Sequence, residues 1–411
     1  MSPVVRRPIA MLAHSYYEED PRVRREAEAV AGTGRPVDVF ALRRPGESGD
    51  GELNGVRVHR LDVQRHQGAG IGTYVGEYLD FFLRALVAVT ASHRRRRFAL
   101  VQVHTIPDAL VFATLPLRLS GVPVIIDLHE AMPEFFKIRF PRLVHPLAHG
   151  LLELQERLSI RAADAVITVN ESLAKRLVRL GVPASKVTVV RNSPSLARFD
   201  PARYPMRRFM EDGRLRLVYA GALSPVYELD VALHAVAHLR RERPELEASL
   251  HLFGRDFAEV PLRALAEGLG IGHAVTLHGR IPIDDVPGAI AAADVGIAPT
   301  RRNPFTDFSL STKIFEYAAM GKPAVASHLP MVAQTFPDGI VATYTPGSAE
   351  NLAAAILRLV DGPAERERSI ERAEALVRDF AWEREAGCYL ELVERLARDG
   401  LSSGGMPEAG L

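Results

Sequence analysis

"SLSTKIFEYAAMGKP", Ser309–Pro323, runs straight into "AVAS", Ala324–Ser327. The first part reads as a short helix with a serine start, Gly321 as its stop and Pro323 just beyond. The second reads as a short buried strand. One helix handing over to one apolar strand is the unit of an α/β fold, and the same alternation extends upstream. "LRLVYAGAL" (215–223), "EASLHLFGR" (247–255), "AVTLHGRI" (274–281) and "DVGIAPT" (294–300) are strands separated by helical segments. Earlier still come "PIAMLAHS", "PVDVFALR", "VRVHRLD", "ALVQVHT", "PVIIDLHE", "DAVITVN" and "KVTVVRN", again with helices between them. Continuously apolar strands alternating with helices predict parallel sheets covered on both faces.

The rhythm lapses once, at "FDPARYPMRRFMEDGR" (199–214), which is rich in charge, Pro and Gly. The expected organisation is a Rossmann-like domain over residues 1–200, a linker over 201–213 and a second Rossmann-like domain over 214–380. A C-terminal helix over 381–400 is expected to pack back toward the first domain, and 401–411 to form a disordered tail. The fold class is α/β, two doubly wound domains facing a central cleft. Ligands of open parallel sheets bind at the carboxyl ends of the strands, so residues just after strands are the ones to weigh.

The chain has 411 residues, 47% hydrophobic and 25% charged, with a net charge of +1. That balance gives no reason to expect a nucleic-acid partner. The single cysteine, Cys388, allows no internal disulfide and fits a reducing cytoplasm. The opening residues do not read as a signal peptide, and no apolar run reaches membrane-spanning length. "YLDFFLRALVAVTASHRRRR" (78–97) joins an apolar, aromatic helix to four arginines. It reads either as a core helix with a solvated basic end or as a peripheral contact with the inner face of the plasma membrane.

Several chemistries fail on spacing. After the first strand comes "HSYYEED", without the glycines that bring backbone to a dinucleotide pyrophosphate. "MGKP" has no P-loop glycine ahead of it and no Ser or Thr behind it. No paired cysteines, clustered histidines or Asp-x-Asp suggest a metal, and no Gly-x-Ser-x-Gly suggests a hydrolase. The helix after Ser311 does better. With Ser311 as cap, its free amides and positive dipole, together with Lys313, would suit a diphosphate. Glu316, about 5 Å further along, would accept hydrogen bonds from a ribose diol. The competing reading is an ordinary Lys–Glu pair on a solvated helix face.

"LVYAGALSPVYELDVALHAV", "LHLFGR", "VTLHGRIP", "ADVGIAPT" and "KIFEYAAMGKPAVAS" resemble, in this order, the donor domain of GT-B glycosyltransferases, especially family 4. "YYEEDPRVRREAEAVA", "VIIDLHEAMPE" and "ADAVITVNESLAKRL" resemble a subgroup that builds cell-surface polysaccharides. The resemblance covers nearly the whole chain. It implies a nucleotide-diphosphate sugar as donor, no cofactor, no metal and a polysaccharide or lipid-linked oligosaccharide as acceptor. Retention of configuration is favoured. Gly221, Ser309, Lys313 and Glu316 would hold the donor. The family's first motif glutamate is replaced by Phe308, and its Arg and Lys after the glycine turn by Ala222 and Tyr227, so Arg301 and Arg302 become further phosphate candidates. His129 would lie near the transferred sugar, or else be structural, and Glu130 would serve as base if the reaction inverts. Tyr16, Arg22 and His104 are acceptor-side candidates; Asp20 reads as a helix cap and Asp127 as buried in its strand. The departures also keep open a nucleotide-sugar epimerase of the same architecture and a non-catalytic scaffold.

Overall fold

The computed structural model describes residues 6–65, 70–139, 145–254, 259–337 and 339–402. The chain divides into two units: Met1–Asn192 with Glu385–Leu411, and Ser193–Arg384.

The first unit holds an eight-stranded sheet. Its strands are β1 (Ile9–Ala13), β2 (Val37–Leu42), β3 (Asp50–Leu53), β4 (Val56–Leu61), β5 (Leu100–His104), β6 (Val124–Leu128), β7 (Ala165–Thr168) and β8 (Val187–Val189). Their order is β3-β4-β2-β1-β5-β6-β7-β8, with only the β3–β4 pair antiparallel. The helices are α1 (Pro21–Gly32), α2 (Ile71–Arg96), α3 (Leu115–Leu119), α4 (Met132–Arg139), α5 (Pro146–Ala162) and α6 (Glu171–Arg179). Every residue of β1, β2, β5 and β6 is buried, as expected of strands covered on both faces. Asp20 caps α1 by accepting from the Arg22 and Val23 amides, with Pro21 in the first turn. Order runs outward from β1 in one direction and from β5 in the other, so the switch point lies between these two strands.

The second unit holds six parallel strands: β9 (Arg216–Ala220), β10 (Ser249–Phe253), β11 (Val275–Gly279), β12 (Val295–Ala298), β13 (Ala324–Ser327) and β14 (Ala342–Tyr344). Their order is β11-β10-β9-β12-β13-β14, placing the switch point between β9 and β12. Its helices are α7 (Leu229–Glu242), α8 (Glu259–Gly268), α9 (Val286–Ala291), α10 (Thr312–Ala319), α11 (Pro330–Thr335), α12 (Ala349–Asp361) and α13 (Pro363–Asp379). α14 (Trp382–Ser402) follows. Tyr317 of α10 lies against Gly296 of β12, where a Cβ would fall 2.3 Å from the ring. Its hydroxyl donates to the Ile297 carbonyl at 3.0 Å, which locks α10 onto the sheet.

Three features differ from the sequence reading. Residues 201–213 lie inside the second unit rather than forming a free linker. Arg207 and the Met210 amide are tied to the buried Asp294 carboxylate, and Lys322 donates to the Arg207 carbonyl. Strands β3 and β14 are additional to those the sequence predicts. Leu401 and Ser402 close α14 instead of opening a tail, and 403–411 lie outside the described residues. From Glu385 onward α14 is part of the first unit: Tyr389 donates to Gln102 of β5 at 2.8 Å, and Arg35 forms a bidentate pair with Glu394.

Candidate functional site

In the second unit the polar residues gather where β9 ends. The chain leaves β9 through Gly221 and β10 through Gly254, both at positive φ (155° and 159°). A side chain at Gly254 would strike the Gly221 carbonyl, 1.9 Å away, so the two turns touch backbone to backbone. A side chain at Gly221 would meet Lys313 Cε at 2.4 Å and Nζ at 2.7 Å. Lys313 therefore crosses from α10 to the end of β9 through space that only glycine leaves.

Lys313 is 7% exposed. Its Nζ lies 4.4 Å from the Tyr227 ring centroid and 4.9 Å from that of Tyr219. The rings pack edge-on at 5.7 Å, and the Tyr219 hydroxyl donates to the Ala222 carbonyl at 2.6 Å. No carboxylate among the described residues comes within ion-pairing distance of Lys313. This removes the reading of Lys313 as half of a solvated surface pair. It is a buried side chain held between two aromatic rings, with no carboxylate among the described residues to pair with it. Tyr227, which stands where the resembled family carries lysine, thus becomes a wall of the pocket for a lysine from α10.

The other donor-side candidates divide. Glu316 is half-buried, one turn beyond Lys313 on α10. Ser311 occupies the N-cap position, but its hydroxyl makes no capping bond; the expected cap is corrected to a cap by backbone geometry alone, at φ −69° and ψ 118°. Ser309 ends the turn Thr306–Phe308 in extended conformation, its amide bonded to the Thr306 carbonyl. Arg301 and Arg302 are exposed, and each is paired with a carboxylate: Arg301 with both oxygens of Asp230 at 3.1 Å, Arg302 with Asp307 at 3.3 Å. Arg301 also donates to the Pro225 carbonyl. Their charge is already balanced, unlike that of Lys313. Phe308 is 36% exposed.

In the first unit the hub is Asp127, fully buried at the end of β6 and in register with His104 at the end of β5. Arg22 reaches it from α1 with two parallel bonds of 2.7 Å. His104 Nδ1 and His129 Nε2 both lie 3.1 Å from Oδ2 and 3.3 Å from each other. A carboxylate only accepts, so each imidazole carries a proton on the nitrogen that faces Asp127. Burial alone would raise the Asp127 pKa, but the Arg22 guanidinium outweighs it, joined by the two imidazoles, and holds the carboxyl well below its usual range. Arg22 in turn is held charged against burial by Asp127 and Glu26. The Glu26 carboxylate accepts from Gln102, which accepts from Tyr389.

Arg22, an acceptor-side candidate, is 3% exposed and spends its donors on Asp127, the Val190 carbonyl and Asn192, so it is neither a surface arginine nor open to a ligand. His104 is likewise buried. His129 is partly exposed, its ring held by Asp127 and its amide by the Thr105 hydroxyl. Glu130 is half-buried, and burial pushes its carboxyl up to about 7. Tyr16 follows β1 with its ring under the Arg44 guanidinium at 5.1 Å.

His104, Asp127 and His129 offer three ligand atoms within 4.8 Å of one another, a grouping invisible in a sequence where no histidines cluster. A cation there would face the Arg22 guanidinium already bonded to both Asp127 oxygens, so the donor set suits proton holding better than a metal. Sequence reasoning also missed the hub role of Asp127 and the Tyr219–Tyr227 cage. Asp127 and His129 are two apart at a strand end and so share a face, and this was the available signal.

Two doubly wound parallel sheets, each with polar residues beyond the carboxyl end of a switch-point strand, define the GT-B class of fold. Residues 20–193 match the family described as Glycosyl transferase 4-like domain, and 214–362 match Glycosyl transferases group 1. The alpha-D-kanosaminyltransferase of Streptomyces kanamyceticus is 25% identical over 371 residues, covering 86% of this chain and 93% of that one. A D-inositol 3-phosphate glycosyltransferase of Arthrobacter sp. is 25% identical over 387 residues, covering 90% and 88%. Among solved structures, sucrose-phosphate synthase from Thermosynechococcus elongatus superposes with a TM-score of 0.75 at 20% identity, covering 95% and 99%. Anabaena HepE in complex with UDP and glucose gives 0.69 at 15%, covering 95% and 100%. The chain belongs to the GT-B glycosyltransferases of family 4 type.

Proposed function

We propose that this glycosyltransferase moves a sugar from a nucleoside-diphosphate donor to a polysaccharide or lipid-linked oligosaccharide, with retention and without a metal. The observation that carries the donor class is Lys313, a buried cation at the end of the switch-point strand with no carboxylate partner among the described residues. A diphosphate supplies the missing charge, and the amides at the start of α10 add donors beside it. Glu316, one turn on, takes the ribose hydroxyls. Solved structures of similar fold support the donor class, since those of Anabaena HepE are in complex with UDP and with UDP-glucose.

The chemistry asked of the second unit is electrostatic. Charge develops on the departing diphosphate, and a preorganised ammonium in a water-poor pocket stabilises it at that moment. His129, its ring held by Asp127, is the first unit's candidate for a contact with the transferred sugar. Under retention no side-chain nucleophile is required, and Glu130 is not a base.

Incubation with a panel of nucleotide sugars, with and without oligosaccharide or lipid-linked acceptors, tests the reading. Acceptor-dependent release of nucleoside diphosphate, with the donor's anomeric configuration kept in the product, is expected. A modified nucleotide sugar released without acceptor points to the epimerase instead, and an inverted linkage overturns retention.

A further inference from the structure

Ten of the thirteen large hydrophobic side chains exposed among the described residues lie on three neighbouring helices of the first unit, and they are 44% to 87% exposed. Val75, Leu79, Leu83 and Val87 recur every four residues along α2, while Phe81, Ala85 and Val89 of the same helix face the core. Leu147, Leu151, Leu154 and Leu158 form a second stripe along α5. Leu115 and Leu119 of α3 add to it, and the segment Asp108–Thr114 packs against both long helices. A patch of this kind is far beyond the scattered apolar residues of an ordinary surface.

Each stripe ends in an arginine on the same helical face: Arg94 seven residues after Val87, and Arg161 seven after Leu154. Arg94, Arg95, Arg157 and Arg161 are exposed and have no carboxylate partner among the described residues. The next arginine, Arg96, is spent inward on buried Asp38. Both long helices are crossovers between parallel strands and run antiparallel to them. Their apolar beginnings therefore lie at the sheet edge that carries His104 and Asp127, and their basic ends at the opposite edge.

We infer that this face is a docking surface for an anionic lipid bilayer. Its apolar stripes enter the headgroup boundary and its unpaired arginines meet lipid phosphates. Charge complementarity selects the occupant: a second copy of the chain would set like charges against one another, whereas an anionic bilayer neutralises them. Among the described residues no helix is long and apolar enough to cross a membrane, so the contact made by this face is peripheral. The inference stands on the α2–α5 face alone and gives the proposed lipid-linked acceptor a route to the first unit.

The test is flotation of the full chain with phosphatidylcholine vesicles, with and without phosphatidylglycerol. Wild type is expected to float with the anionic vesicles only, and less at high salt. Arg94→Gln with Arg161→Gln should lower partitioning about fivefold per arginine. Leu79→Ser with Leu151→Ser should abolish retention at unchanged melting temperature. Equal recovery of wild type and both variants, or no flotation of wild type, overturns the inference. So does light scattering that shows a wild-type dimer turned monomeric by the leucine changes, which would make the face a contact between copies.

Discussion

The Lys313 ammonium lies 4.4 Å from the centroid of the Tyr227 ring. The tyrosine takes the place of a basic residue in the resembled family, and the charge arrives from α10 instead. The cage then fixes where that charge sits, and Gly221 leaves room for it. Tyr227→Leu should weaken nucleoside-diphosphate binding by about 0.5–2 kcal/mol, the range of a cation–π contact. Gly221→Ala should weaken it further, since the new methyl would occupy the position of Lys313 Cε. Calorimetric titration reads both; wild-type affinity in both would remove the cage from the account.

Asp127→Asn leaves the buried Arg22 guanidinium facing an amide. A loss of about 3–5 kcal/mol in unfolding free energy is expected. The Asp127 carboxyl is held well below its unfolded value. Its contribution is therefore present above the unfolded pKa, about 4, and is lost as pH falls toward the folded one. Chemical denaturation of both proteins across that range should show the gap narrowing in acid.

Asp108 behaves oppositely. It is fully buried, neither carboxyl oxygen has a hydrogen-bond partner among the described residues, and burial, helped by Glu156, pushes it up to about 8. The folded state holds the proton more tightly than the unfolded chain, so the carboxyl works against folding increasingly as pH rises from about 4 to about 8. Asp108→Asn should be neutral near the lower limit and stabilising by at least about 2 kcal/mol near the upper. Melting curves at both ends check the sign.

The alternation of apolar strands and helices made both sheets legible, because buried parallel strands read as continuous hydrophobic runs. Strand β3 had a signal that went unused: Asn54-Gly55, both at positive φ, is the hairpin turn joining it to β4. The three residues of β14 carried too little pattern. At the site, Lys313, Glu316 and His129 stood out by position. The fate of Arg22 and the arginines after β12 did not, because a sequence gives the charge of an arginine but not the carboxylate that claims it. Asp230 lies 71 residues from Arg301, and Asp127 lies 105 from Arg22.

Glu130 separates the two stereochemical outcomes. Burial places its carboxyl at about 7, where a general base would give a rate rising with pH up to that value. Under retention, Glu130→Gln should keep kcat within a few fold and leave the pH profile unchanged. A loss of about a hundredfold or more, with disappearance of the acid limb, would make Glu130 the base of an inverting reaction.

The donor assignment rests on Lys313 and Glu316, and calorimetric titration of three ligands against two variants tests it most directly. Lys313→Ala should weaken a nucleoside diphosphate by about 1.5–3 kcal/mol, the range for hydrogen bonds to a charged group, and leave the bare nucleoside unaffected. Glu316→Gln should weaken both by a similar amount, yet bind a nucleoside without ribose hydroxyls as wild type does. Wild-type affinity for the nucleoside diphosphate in both variants would contradict the account, because the buried ammonium would then have some other anion to meet.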